Sequence, residues 1–339
     1  MTDQPIRIYL DSNVISFLRN DKIRETRSDI NFLYRFIVGS KTSGNIEFPY
    51  SDAHLSDIVP SYKKGDIEYV ERDLAFLSAL SDNKHLCLYW KEETPTYAIR
   101  QPKEFFDNMI NDKSGTLPTI EELEESLTIE GMPNFVDLFK MMPSGIDIDG
   151  LPEEGKAYFI ENYPRTYQQN NMYNVIADGL DMMRRIMTDP KEYNKLKKQF
   201  SDYIPLDKNV GNVQSGVIET VNRDLTASPL GKSFDELLEM NNKQYIKSEL
   251  SHRITSKYMH LDFVGYASEK LTDKNKYDNL HNDARHCFYG AYCNIFVTND
   301  KRACKKAKAI YEEEQVGTLV MNTGEFETFA MKHLAKTDK

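Results

Sequence analysis

Four aspartates and the residues beside them carry the chemical content of this sequence. Asp11 directly follows the apolar run at residues 6–10, and Asp300 stands two residues beyond Thr298, after Ile295, Phe296 and Val297. Asp283 begins a helix-patterned segment in the same C-terminal stretch, and Asp57 lies one or two turns into the helix expected after Ser51. In open parallel sheets, ligand sites lie outside the carboxyl ends of strands, so acids from distant parts of a chain can converge there. Carboxylates brought together repel one another, and one or more must protonate unless a cation neutralises them. An oxygen-only ligand set suits hard ions that keep several waters, so Asp11, Asp57, Asp283 and Asp300 are the expected ligands of Mg2+ or Mn2+. Such an ion lowers the pKa of a bound water and clamps a phosphoryl oxygen, which is the equipment for phosphodiester hydrolysis. The same acids also fit a plainer role, because Asp at a strand-to-helix junction is a favoured N-cap worth about 1 kcal/mol.

Polar and basic neighbours fit the same chemistry. Asn13 and Thr298 can hydrogen-bond the carboxylates or a bound water and orient them. His54 is placed to touch a substrate phosphate or a bound water. Lys301, Arg302, Lys305, Lys306 and Lys308 follow Asp300 without an intervening acid. Lys301, Arg302 and Lys305 are therefore candidate contacts to a phosphate backbone. A solvated helix face balanced by Glu312, Glu313 and Glu314 accounts for the same run. The tyrosines, 20 in number, could stack unpaired bases, although aromatics at helical spacing serve core packing by default. Zinc is disfavoured: of His281, His286, Cys287, Cys293 and Cys304, only His286 and Cys287 are close, and they face different sides of a helix. There is neither a P-loop nor a glycine-rich dinucleotide fingerprint after Leu10.

These residues need a scaffold that brings them together, and the pattern supplies one. Residues 6–10 read as a strand, followed by a helix from Asp11 and an amphipathic helix over 28–39. A second strand is expected at 46–50, then a helix starting at Ser51 and Asp52, a helix at about 66–80 and a strand over 86–90. Near the C-terminus Ala284, Cys287, Phe288 and Ala291 recur at helical spacing, residues 294–298 read as a buried strand, and Asp300 opens another helix. Residues 319–321 and 324–335 supply a last strand and helix. Short apolar strands alternating with helices imply a parallel sheet covered on both faces. Between about 91 and 259 the pattern turns helical, with segments at 119–128, 171–188 and 233–249 punctuated by Pro95, Pro102, Pro118, Pro133, Pro143, Pro152, Pro164 and Pro190. The expected organisation is an α/β domain made of 1–90 and 260–335, interrupted by a mostly helical insertion over 91–259.

The segment from Ile8 to Ile15, with Asp11-Ser12-Asn13 after an apolar run, resembles the opening strand and first acid of PIN-domain nucleases. Asp283-Ala284 on a helix, then a strand, then Thr298-Asn299-Asp300, is similar to that family's closing motif. The family's second acid, usually Glu on a helix a few residues after a strand-ending Ser, falls on Asp57 after Ser51, with Asp52 and His54 as near competitors. The resemblance spans about 1–90 and 260–335. It implies a three-layer α/β/α fold with a mainly parallel central sheet and Mg2+- or Mn2+-dependent cleavage of RNA. The second position has Asp in place of Glu, and two further features depart from the family pattern: the separation between Asp57 and Asp283 is far longer than in a minimal domain, and the acidic charge balance does not favour long nucleic-acid contacts.

Composition bounds these readings. The chain has 339 residues, 40% of them hydrophobic, enough for a sizeable core in one elaborated domain or two. No apolar run approaches the roughly 20 residues that a bilayer span needs, and Met1 to Leu10, with Asp3 and Arg7, lacks the pattern of a signal peptide. Four cysteines without CxxC pairing suggest a reduced, cytoplasmic setting. A net charge of −10 argues against coating nucleic acid by bulk attraction, though not against a metal-assisted site. The expected function is a metal-dependent ribonuclease whose partner is RNA, with a second copy of the chain or an inhibitor protein left open. Two alternatives are a catalytically inactive nuclease-like scaffold and a haloacid-dehalogenase-type phosphatase. The phosphatase needs an acid two residues after its nucleophile, where this chain has Asn13.

Overall fold

The computed structural model describes residues 5–41, 44–88, 94–111, 117–128, 135–203, 215–228, 231–233, 235–236 and 250–334. The chain divides into two compact units, the first formed by residues 1–111, 196–270 and 278–339, the second by 112–195 and 271–277. The stretch 91–259, expected as one insertion, is thus shared between the units: only its middle belongs to the second, and residues 196–259 belong with the sheet.

The first unit begins with β1 (Ile6–Leu10), α1 (Ser12–Arg19), α2 (Asp21–Thr26) and α3 (Ser28–Ser40). There follow β2 (Ile46–Glu47), β3 (Tyr50–Ser51), α4 (Asp52–Lys63), α5 (Ile67–Ser81), β4 (Lys84–Cys87), β5 (Thr96–Ile99) and α6 (Pro102–Asn111). The fold is mixed α/β. Its main sheet has four strands, all parallel. A smaller sheet runs β3-β4-β5, with β3 and β4 parallel and β5 antiparallel to β4. The expected single strand over 46–50 is split, with Ile46–Glu47 beside β1 and Tyr50–Ser51 beside β4. Pro49 explains the break, because proline has no N–H to give a ladder. The strand expected over 86–90 starts earlier, at Lys84; residues 89 and 90 lie outside the described residues. β5 falls where only helix was expected.

The second unit carries α7 (Ile120–Ser126), α8 (Phe135–Met141), α9 (Glu153–Asn162), α10 (Pro164–Gln168), α11 (Met172–Thr188) and the start of α12 (Pro190–Tyr203), whose residues from 196 on belong to the first unit. Its described elements are helical. Asp178 of α11 is buried and accepts from the backbone and hydroxyl of Thr166, both at 2.8 Å, and from Arg165 at 3.0 Å, fastening α10 to α11.

Back in the first unit come α13 (Val217–Ala227), α14 (Leu250–Phe263), α15 (Tyr277–Gly290), β6 (Ile295–Val297), α16 (Lys301–Glu313), β7 (Leu319–Met321) and α17 (Thr323–His333). The helix expected over 233–249 lies mostly outside the described residues. The main sheet runs in the order β2-β1-β6-β7. Leu10 pairs with Val297 and Val297 with Met321, so β1, β6 and β7 end level with one another, and Asp11 and Thr298 emerge at the same carboxyl edge.

Strand alternation assigns the two faces. Ile8, Leu10, Ile295, Val297 and Met321 form a core with Val14 and Leu18 of α1, Ile30, Leu33 and Ile37 of α3, and Phe326 and Ala330 of α17. Each fully buried aliphatic side chain there contributes about 1.5–3 kcal/mol. On the other face Tyr9 and Phe296 meet α15. At Gly290 a Cβ would come within 2.9 Å of the Phe296 ring and 2.8 Å of the Tyr311 hydroxyl. The missing side chain lets the end of α15 press onto the sheet. A second cluster of Tyr50, Leu55, Ile58, Val70, Leu74, Leu77 and Phe106 seats α4, α5 and α6 around β3.

Candidate active site

The carboxyl edge of β1 and β6 is built from short hydrogen bonds between residues remote in sequence. The Thr298 hydroxyl donates to Asp11 Oδ2 at 2.6 Å, and the Asn13 amide donates to the same oxygen at 2.5 Å. Asn13 Oδ1 accepts from the backbone N–H of Asn299 at 3.2 Å, tying the start of α1 to the loop after β6. Asn13 and Thr298 therefore orient Asp11. Asp11 is 4% exposed, and that burial pushes its carboxyl pKa up, with the charges of Asp57 and Asp300 adding to the rise against the opposing pull of His286 and Thr298.

Asp300 occupies the N-cap of α16, where its Oδ1 accepts from the backbone of Arg302 at 2.7 Å and of Ala303 at 3.0 Å. It thus performs the capping role that its position suggests, and its charge is still felt at Asp11 and Asp283.

Asp57 on α4 is held by side chains of α15, the helix that carries Asp283. One row of polar side chains on α15, at positions 282, 285, 286 and 289, meets a polar row on α4. Asn282 Nδ2 donates to the Ala53 carbonyl at 2.9 Å and to Asp57 Oδ1 at 2.5 Å. Arg285 donates to the Ser56 hydroxyl at 2.7 Å, His286 Nε2 lies 2.9 Å from Asp57 Oδ2, and the Tyr289 hydroxyl donates to Asp52 Oδ2 at 3.2 Å. The spacing i, i+3, i+4 and i+7 makes this a single helix face. For Asp57, burial alone would raise the pKa, but the hydrogen bond and charge of His286, with Ser12 and Asn282, overcome it and hold the group below its ordinary value. Asp57 therefore stays charged.

Asp283 is treated differently. No hydrogen bond from any described residue reaches its carboxylate, and its pKa is pushed well above the ordinary range, first by burial and then by the charges of Asp11, Glu269, Asp57 and Asp300. All four expected acids thus act on one another at one edge of the sheet. Among the described residues, Asp11 Oδ1, Asp300 Oδ2 and both oxygens of Asp283 have no protein donor.

The competitors for the second acid position have other duties. Asp52 Oδ1 pairs with His85 Nε2 at 2.7 Å, and its Oδ2 accepts from the Tyr289 hydroxyl at 3.2 Å. His54 is enclosed. Its Nδ1 accepts from the Ser51 backbone at 3.0 Å, closing a capping box, and its Nε2 donates to the Leu10 carbonyl at 2.7 Å. Burial, with the charge of His286, lowers its pKa to about 3, so the ring is neutral. Both nitrogens are used, which corrects the expectation that His54 touches substrate: it braces the strand end instead.

The basic run of α16 divides by face. Lys301, Arg302 and Lys305 are exposed. Lys306 is fully buried and reaches Asp262 Oδ1 at 2.9 Å, with its ammonium 4.4 Å from the Tyr258 ring centroid. The residue that sequence reasoning undervalued is His286, considered only for zinc. Its place three residues after Asp283, on the polar side of a helix whose other side is Ala284, Cys287 and Phe288, was the available signal.

The oxygen-rich donor set matches a hard divalent cation in its chemistry. Among the described residues no group of three or more His, Cys, Asp or Glu side chains is placed to enclose an ion directly. Mg2+ does not require that, since it is commonly held by one or two carboxylates and keeps several waters. The four cysteines are free thiols. Among the described residues no helix is long and apolar enough to cross a membrane. Compared with models of protein families, with curated proteins and with solved structures, the chain matches none.

Proposed function

We propose that this protein is a cytoplasmic metal-dependent nuclease, and specifically a ribonuclease, whose Mg2+ or Mn2+ is held by Asp11, Asp57, Asp283 and Asp300. The observation that carries the reading is the uncompensated state of Asp283: a carboxylate among four others, with no hydrogen bond to hold its charge. A cation is the cheapest remedy for such a cluster. The choice of RNA rests on the PIN-like order of the motifs around Asp11 and Asp283 to Asp300.

A divalent cation bound there supplies an activated water and neutralises charge developing on the phosphoryl oxygens. The chain's own part is to aim and hold. Thr298 and Asn13 share their grip on Asp11 Oδ2 and leave Oδ1 without a donor among the described residues. Asn282 and His286 fix both oxygens of Asp57. Lys301 and Arg302, exposed on the first turn after Asp300, are suited to the flanking phosphates of a single strand. The test is cleavage of end-labelled RNA with Mn2+ or Mg2+. Activity abolished by EDTA, by Asp11→Asn and by Asp283→Asn supports the reading; cleavage that survives all three refutes it.

A second reading is an inactive nuclease-like scaffold. It draws on Asp57 and Asp300 being engaged by protein donors and on the absence of a ready three-residue cage among the described residues. Thermal melts separate the two, because an intact cation site raises the midpoint with added Mn2+ and a scaffold gives a flat response.

A further inference from the structure

Behind Asp57 stands a buried chain of hydrogen bonds that packing alone does not call for. Ser51 Oγ lies 2.6 Å from the Tyr9 hydroxyl, which lies 2.8 Å from His286 Nδ1. The opposite ring nitrogen, Nε2, reaches Asp57 Oδ2 at 2.9 Å and the Ser12 hydroxyl at 3.1 Å. Tyr9, Ser51 and His286 are essentially inaccessible, with exposures of 0%, 0% and 1%. The imidazole is also walled in by rings, with His54 at 4.8 Å in an edge-on contact and Tyr9 at 5.8 Å.

The direction of the chain follows from donor and acceptor capacity. A carboxylate only accepts, so Nε2 must carry the hydrogen given to Asp57 whether the ring is neutral or charged. In the neutral ring Nδ1 is then an acceptor, Tyr9 donates to it, and the Ser51 hydroxyl donates to Tyr9. Asn282 takes the other Asp57 oxygen at 2.5 Å, so the carboxylate is fixed at both ends. Three buried polar side chains cost desolvation that apolar residues of similar size would avoid. The orientation they impose on Asp57 is what that cost secures.

We propose that Ser51, Tyr9 and His286 form a clamp for Asp57 and that His286 is a positioning residue of the carboxylate site. The proposal rests on the reading of that site as a divalent-cation centre. Partners that orient a metal ligand in this way change affinity by about 10- to 100-fold when removed.

The experiment measures Mn2+ affinity by the EPR signal of the free ion for the wild type, His286→Leu, His286→Gln and Tyr9→Phe, each first shown to be folded by circular dichroism. The expected result is a wild type that takes up Mn2+, about tenfold or greater weakening in His286→Leu, and partial recovery in His286→Gln, whose amide restores an N–H donor. Tyr9→Phe weakens binding in the same direction and keeps the test alive if His286→Leu does not fold. Two-bond proton–nitrogen spectra should show a proton on Nε2 of His286. A folded His286→Leu or Tyr9→Phe protein that binds Mn2+ as tightly as the wild type overturns the clamp, as does a ring without a proton on Nε2. A wild type that takes up no Mn2+ overturns the cation site itself, and the clamp with it.

Discussion

Replacing Thr298 by valine removes one hydroxyl and little volume, and the structure fixes what that hydroxyl does. It donates to buried Asp11 Oδ2 at 2.6 Å and accepts from the Asp300 backbone at 3.1 Å. Hydrogen bonds to charged groups contribute about 1.5–3 kcal/mol net, and leaving a buried acceptor short of a donor costs a similar amount. The expected loss for Thr298→Val at neutral pH is therefore about 2 kcal/mol. For a cooperative unit of roughly 250 residues, such as the first one, that lowers the melting midpoint by about 4–8 °C. The effect should fade in acid, where Asp11 is protonated and the bond is no longer charge-assisted. Urea unfolding of wild type, Thr298→Val, Asp11→Ala and the double variant isolates the pair. Residues in one hydrogen-bond network show non-additivity, and here the coupling should be about 1.5–3 kcal/mol. Strictly additive single losses would refute the reasoning, since they would mean that Thr298 does not hold Asp11 in solution.

Other consequences are as direct. In EDTA, Asp283→Asn should stabilise the protein at neutral pH: a carboxyl whose folded pKa is raised loses stability as pH climbs from its unfolded value of about 3.9 toward the folded one. The gain should vanish below about pH 4, where the wild-type group is protonated in both states, and melts across pH read this directly. Lys306→Met should cost about 3–5 kcal/mol in urea unfolding, because it removes the fully buried ammonium that donates to buried Asp262 at 2.9 Å. Changing Lys301 and Arg302 together to Ala should reduce the salt dependence of single-stranded RNA binding by about 1.4 in log–log slope, measured by fluorescence anisotropy. An unchanged slope would remove these residues from the phosphate path.

The sequence and the structure agree where a local signal decides the outcome. Residues 6–10 are a strand as expected, because Ile8 and Leu10 face one side and Tyr9 the other, and residues 319–321 match as well. The helix expected over 171–188 is α11 within a residue, its start marked by the Asn171 cap. What could not be read depended on partners far away in sequence. The strand at 46–50 splits because Pro49 cannot pair, and only the registers with β1 and β4 show where each half goes. Lys306 looks like one more surface cation until Asp262 is seen beneath it. Asp11 and Asp300 sit at strand ends as the pattern suggests, but Asp57 lies inside α4 and Asp283, expected to begin a helix, lies in the middle of α15, and the bonding of all four was not legible. Asp57 proves to be gripped from α15, and His286, a routine histidine by pattern, stands at the centre of that grip.

The most direct test is diffraction from crystals soaked in Mn2+, with an anomalous difference map calculated at the manganese edge. A cation site formed by these acids gives a peak at the carboxyl edge of β1 and β6, within ligand distance of Asp283 or Asp11, that is lost in Asp283→Asn crystals. A map with no peak there at millimolar Mn2+, from crystals in which the site is open to solvent, would contradict it.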